Sequence, residues 1–78
     1  MTLEEIKEEI KYELSLHSRR KDMREGQEVF NYIDGVYGVA RIAQFEYGVD
    51  CFYDDTKIDE FIETCAKIIY NLQNEQSN

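Results

Sequence analysis

The chain has 78 residues, 17 acidic side chains against 9 basic ones, and a formal net charge of −8. That length supports one domain with a small core, and the charge disfavours nucleic acid, where Lys and Arg must displace phosphate counterions. No stretch approaches the ~18 apolar residues of a membrane span. The single histidine and the pair Cys51 and Cys65 show no zinc-ligand spacing, and no cofactor is predicted. Chains this small commonly need an extra staple. Without a dense cysteine framework or a secretory signal, the two thiols read as free, which leaves close helix packing or self-association.

Thr2-Leu3-Glu4-Glu5 has the form of a capping box, in which hydroxyl and carboxylate each satisfy the other residue's amide. Leu3, Ile6, Ile10, Leu14 and His17 then recur at intervals of three or four, which predicts a first helix over about residues 3–24. Glu4–Lys7 and Glu8–Lys11 are opposite charges three apart along it. Gly26 either ends this helix as a left-handed cap or marks a close helix crossing.

A second helical stripe follows at Val29, Phe30, Ile33, Val36, Tyr37 and Ala40. Gly35 and Gly38 each cost about 1 kcal/mol relative to Ala within a helix, so a break is expected between them. Val39, Ile42, Ala43 and Phe45 continue an apolar face to Tyr47, and Gly48 stops it. Residues 48–55 read as a loop, with Asp54, Asp55 or Thr56 capping the last helix. The stripe of that helix, Ile58, Phe61, Ile62, Cys65, Ile69 and Leu72, is a heptad pattern. The prediction is an all-α fold, a small antiparallel bundle of three main helices with the second broken near Gly35–Gly38. It forms one domain over residues 1–73, and residues 74–78 form a disordered polar tail.

Four groups of residues carry candidate chemistry. Arg19, Arg20, Lys21 and Arg24 form a basic island in an acidic chain. Their forks suit a phosphate-bearing ligand or an acidic partner; the plainer reading is a helix end complementing its dipole. Gln27 and Asn31, four apart, either grip a ligand's polar edge or hydrogen-bond the backbone of the 48–55 loop. Asp50-Cys51-Phe52-Tyr53-Asp54-Asp55 is rich in carboxylates, but aromatics interrupt the alternation that calcium needs and its glycine is missing, so no metal is expected. In that loop Asp50 and Asp55 read as structural groups and Phe52 as an anchor on the core, while an exposed Tyr53 suits an interface.

The acidic surface itself either mimics phosphates to enter a partner's basic groove or keeps a small protein soluble. No arrangement predicts an enzyme. His17 lies on an apolar stripe, and Cys51 has no base near it in sequence.

Gly26-Gln27-x-x-Phe30-Asn31 and Asp50-Cys51-Phe52-Tyr53-Asp54-Asp55, followed by Ile58 and Phe61 and preceded by Arg24, resemble a group of small helical proteins encoded by bacteriophages and prophages. The resemblance covers roughly residues 24–62. Many of those proteins carry proline where this chain has Cys51, which implies a less rigid loop here. It implies a phage or mobile-element origin, a compact helical fold and residence in a host bacterial cytoplasm, and it transfers no activity. Together with the small size, the acidity and the lack of catalytic groups, it leads to the expectation of a non-enzymatic protein. Such a protein would bind and inhibit or modulate a host protein, for example a component of bacterial immunity such as a CRISPR effector. The alternative is an oligomeric sponge that binds an anionic nucleotide signal through Arg19, Arg20 and Arg24. A third reading is an assembly subunit whose interface is the heptad face of the last helix.

Overall fold

The capping box at the start of the chain forms as its spacing requires. In the computed structural model, which describes residues 1–16 and 22–76, the Thr2 amide donates to Glu5 Oε1 at 2.9 Å and the Glu5 amide to Thr2 Oγ1 at 3.2 Å. This pair opens α1 (Leu3–Leu16), which buries Ile6 and Ile10 and is joined on its outer face by a Lys7–Glu4 ion pair. The expected continuation of α1 to residue 24 is corrected in part. Residues 17–21 lie outside the described residues, but Asp22 and Met23 form a turn and Arg24 is extended with φ −69° and ψ 154°.

The second helix, α2 (Glu25–Val36), therefore begins one residue before Gly26, which sits in its first turn and does not cap α1. The break predicted between Gly35 and Gly38 is present and centres on the second of these. Gly38 has φ +70°, and its amide returns to the carbonyls of Ile33 and Asp34, a left-handed cap that only glycine adopts without strain. Helix α3 (Ala40–Glu46) follows, tied to α2 by an Arg41–Asp34 ion pair at 3.9 Å, and it ends before Gly48. A 3-10 turn at Asp55–Lys57 then leads into α4 (Ile58–Gln76). The last helix runs past Asn74, where the polar tail was expected to start; Asn-Glu-Gln contains neither glycine nor proline to stop it.

The described residues thus form four α-helices and no strand, all-helical as the sequence implies. α1 packs mainly on α4, and the Lys7–Glu63 ion pair at 4.0 Å places the start of α1 beside the second turn of α4. The other end of α1, at Lys11 and Leu14, meets Ile58 and Ile62, so the two helices run antiparallel. α2 and α3 close the other side. The core centres on Phe61, Ile10, Ile33, Val39 and the two cysteines, all fully enclosed. Phe30 stacks on Phe61 with ring centroids 5.5 Å apart.

Two apolar assignments change. Phe45 and Val36 were placed on buried stripes, yet they are 78 % and 57 % exposed. Val36 is the last residue of α2, where the chain leaves the core, and Phe45 lies two residues past the buried Ala43, on the opposite side of the short α3. The heptad face of α4 is occupied from within: Phe61, Ile62, Cys65 and Ile69 are buried against the other helices, and Leu72 alone of its later positions is exposed. Those side chains are part of what holds the chain's own helices together.

Candidate functional site

The loop between α3 and α4 is pinned to the start of α2 by a set of directed bonds. Gly26 makes this possible. A Cβ at that position would meet the Cys51 carbonyl oxygen at 2.0 Å and Asp55 Oδ1 at 2.7 Å, so only glycine lets the loop approach this closely. The Gly26 amide donates to Asp55 Oδ1 at 3.0 Å, satisfying one of the orphan donors of the helix start. Its carbonyl accepts from the Cys51 thiol at 3.2 Å.

Arg24 completes the attachment. One guanidinium nitrogen donates to the Tyr53 carbonyl at 2.9 Å and the other to the Phe52 carbonyl. Within the loop, the Phe52 amide donates to Asp50 Oδ1 at 2.8 Å. Asp54 caps the 3-10 turn by accepting from both the amide and the hydroxyl of Thr56. Those bonds hold the Asp54 carboxyl below the usual carboxylate range, with smaller help from Lys57 and Arg24.

The predicted roles of the loop residues now separate. Asp50 and Asp55 accept backbone amides, and Phe52 is half-buried, edge-on to Phe30 with ring centroids 5.4 Å apart. The amides are not the ties. Asn31 is exposed and its Nδ2 faces Met23 Sδ at 3.7 Å, while Gln27, half-buried, makes no hydrogen bond to the loop. Arg24 and Asp55 take the place expected of Gln27 and Asn31. Of the basic island, Arg24 is committed to two backbone carbonyls, and Arg19, Arg20 and Lys21 lie outside the described residues, as does His17.

Tyr53 is what the loop displays. Its side chain is 74 % exposed, while its backbone is fixed by Arg24 and its ring leans on Phe52, with centroids 4.9 Å apart. Asp54 and Asp55 follow it directly, giving an aromatic in an acidic setting.

Both cysteines are free and buried. Burial pushes each thiol up to about 12, and the carboxylates of Asp50 and Asp55 add to the effect at Cys51. A thiol held protonated is a poor nucleophile. On the far side of the loop attachment, Glu13 of α1 accepts a hydrogen bond from the Tyr32 hydroxyl, and the Tyr32 and Tyr37 rings meet edge-on at 6.4 Å. Burial, then the charges of Glu13 and Glu9, raise the Tyr37 hydroxyl above its ordinary value.

A groove of about 390 Å³ opens where α1 ends and α2 and α4 begin. Its floor is Leu14, Val29, Ile58 and Ile62, and Lys11, Glu25 and Asp59 stand along its edge. Sequence reasoning missed it, because Leu14, Val29, Ile58 and Ile62 come from three helices and were read only as core stripes.

Among the described residues no group of three or more His, Cys, Asp and Glu side chains could hold a metal ion, and no helix is long and apolar enough to cross a membrane. Fold and loop together define a small all-helical protein that presents a fixed, exposed tyrosine in an acidic setting. No protein-family model matches the chain, and no curated protein or solved structure matches it either.

Proposed function

We propose that this chain is a non-enzymatic binding protein of phage type that docks on a host bacterial protein in the cytoplasm and inhibits or modulates it. A component of antiviral defence is the host target that fits best. The observation that carries this reading is Tyr53, exposed on a loop whose backbone is already fixed from both sides. Interface hot spots are enriched in tyrosine, and an anchor ordered before binding avoids the entropy cost of ordering it at the interface. The net charge of −8 supports a basic partner surface, toward which long-range attraction steers encounter.

The nucleotide-sponge alternative draws no comparable support. Arg24 would have to release two loop carbonyls to take a phosphate.

The test is capture of host proteins by the tagged chain alongside its Tyr53→Ala variant. A single stoichiometric partner that the variant binds at least about tenfold more weakly supports the reading; truncating a hot spot costs about 2 kcal/mol or more. Arg24→Ala, which frees the loop but keeps the tyrosine, is expected to weaken the same partner to a lesser degree. Equal capture by all three forms, or co-purification of a nucleotide without a protein, overturns it.

A further inference from the structure

The structure assigns a second contact surface to this chain: the groove between α1, α2 and α4 receives an amphipathic segment of the protein partner. That segment places an aliphatic side chain on the groove floor and a Lys or Arg beside Glu25 and Asp59. The inference rests on the protein-binding reading above and adds a chemical description of what is bound.

Size and lining come first. At about 390 Å³ the groove falls within the ~300–1,000 Å³ of ordinary ligand sites. Its floor is aliphatic and comes from three helices, so it is as rigid as the packing beneath it. Val29 and Ile62 are core residues, whereas Leu14 and Ile58 are only partly covered and leave apolar surface to be filled.

The charges along the edge select the occupant. Glu25 lies in the first turn of α2 and Asp59 in the first turn of α4, so two helix starts bring two carboxylates to one groove. Both are exposed, and neither forms an ion pair among the described residues, unlike Glu4, Asp34, Glu60 and Glu63. Lys11, on α1, also forms no ion pair among the described residues. The two carboxylates at the starts of α2 and α4 therefore favour a cation in the occupant, and Lys11 on α1 favours an oxygen acceptor beside its aliphatic part.

Position adds to the argument. The groove includes the start of α2, one residue from Arg24, and the start of α4, which follows the loop that carries Tyr53. The groove and the Tyr53 loop thus share the starts of α2 and α4.

The experiment is a titration of the isotope-labelled protein with two helical peptides with blocked ends. Each has leucines along one face, flanked in one by lysines and in the other by glutamates. The lysine peptide is expected to shift the amide resonances of Leu14, Val29, Ile58 and Ile62, and to bind at least about tenfold more tightly than the glutamate peptide. Glu25→Gln with Asp59→Asn, which keeps size and shape, is expected to reduce that affinity about tenfold, or about 1.4 kcal/mol. Thermal unfolding of the double variant confirms that it is folded.

Shifts spread evenly over the acidic surface, equal binding of the two peptides, or unchanged affinity in the double variant overturns the groove assignment. Because no host protein is present, such a failure leaves the Tyr53 result untouched. Loss of Tyr53-dependent capture with the groove result intact would instead remove the Tyr53 docking reading, and with it the assignment of the groove's occupant to that partner.

Discussion

Replacing Gly26 with alanine tests the loop attachment directly, because two glycines in one helix respond with opposite sign. The added Cβ would sit 2.0 Å from the Cys51 carbonyl oxygen, where ordinary contact begins at 3.4 Å, so the loop must retreat by about 1.4 Å. A retreat of that size stretches the 3.0 Å bond from the Gly26 amide to Asp55 and the 3.2 Å bond from the Cys51 thiol beyond hydrogen-bonding range. A bond to a charged acceptor contributes about 1.5–3 kcal/mol and a neutral one about 0.5–1.5 kcal/mol, while alanine returns up to about 1 kcal/mol of helix propensity. The net expectation is a loss of about 2–3 kcal/mol, large against the roughly 5 kcal/mol typical of a domain this small. Gly35, nine residues further along α2, faces open space: nothing lies within 4 Å of an added Cβ, and Gly35→Ala is expected to gain up to about 1 kcal/mol. Urea unfolding followed by circular dichroism reads both. A Gly26→Ala protein as stable as the parent would refute the attachment, and so would a Gly35→Ala loss of the same size.

Two further predictions concern protons. Asp54 and Glu5 both have carboxyls held below their ordinary values, Asp54 by its bonds from Thr56 and Glu5 by its bonds with Thr2. A depressed folded-state value stabilises the protein above the unfolded pKa of about 4 and ceases to do so as pH falls through the folded one. Unfolding midpoints of the parent should therefore drop below about pH 4, and Glu5→Gln with Asp54→Asn should flatten that dependence; an unchanged slope refutes it. The thiols shift the other way. Their raised values stabilise the fold below the unfolded thiol pKa of about 8.5 and lose that contribution as pH climbs toward about 12. At pH 8 both cysteines should resist iodoacetamide until urea unfolds the chain, and rapid native alkylation of either would show that it is not buried.

What could be read from the sequence was whatever depends on neighbours along the chain. Thr2 and Glu5 lie three residues apart, Asp54 and Thr56 two apart, and Gly38 acts through its own backbone, so these devices appear as spacing. The Arg24 contacts span 28 and 29 residues, and nothing local distinguishes a guanidinium that will meet carbonyls from one that will meet phosphate. The same limit misplaced the amides. Gln27 and Asn31 share a helix face, but the bond that holds the loop falls to the helix's own amide at Gly26, with Asp55 arriving from 29 residues away. Phe45 was misread because its apolar character outweighed its position: two residues past the buried Ala43, it falls on the opposite side of α3.

A cysteine at position 51, unlike a proline, does not fix its own φ, and a looser loop was expected there. The side chain is fully buried, however, and its thiol donates to the Gly26 carbonyl, so the constraint passes from the backbone to a tertiary contact. That contact exists only because Gly26 has no Cβ, and the same absence lets Asp55 reach the Gly26 amide. Cys51, Gly26, Asp55 and Arg24 therefore act as one unit that fixes the backbone beneath Tyr53. Because every one of those bonds is made within the free chain, a partner of the kind proposed would meet Tyr53 on a backbone already in place, and the binding energy of the ring would not be offset by the entropy of ordering that backbone.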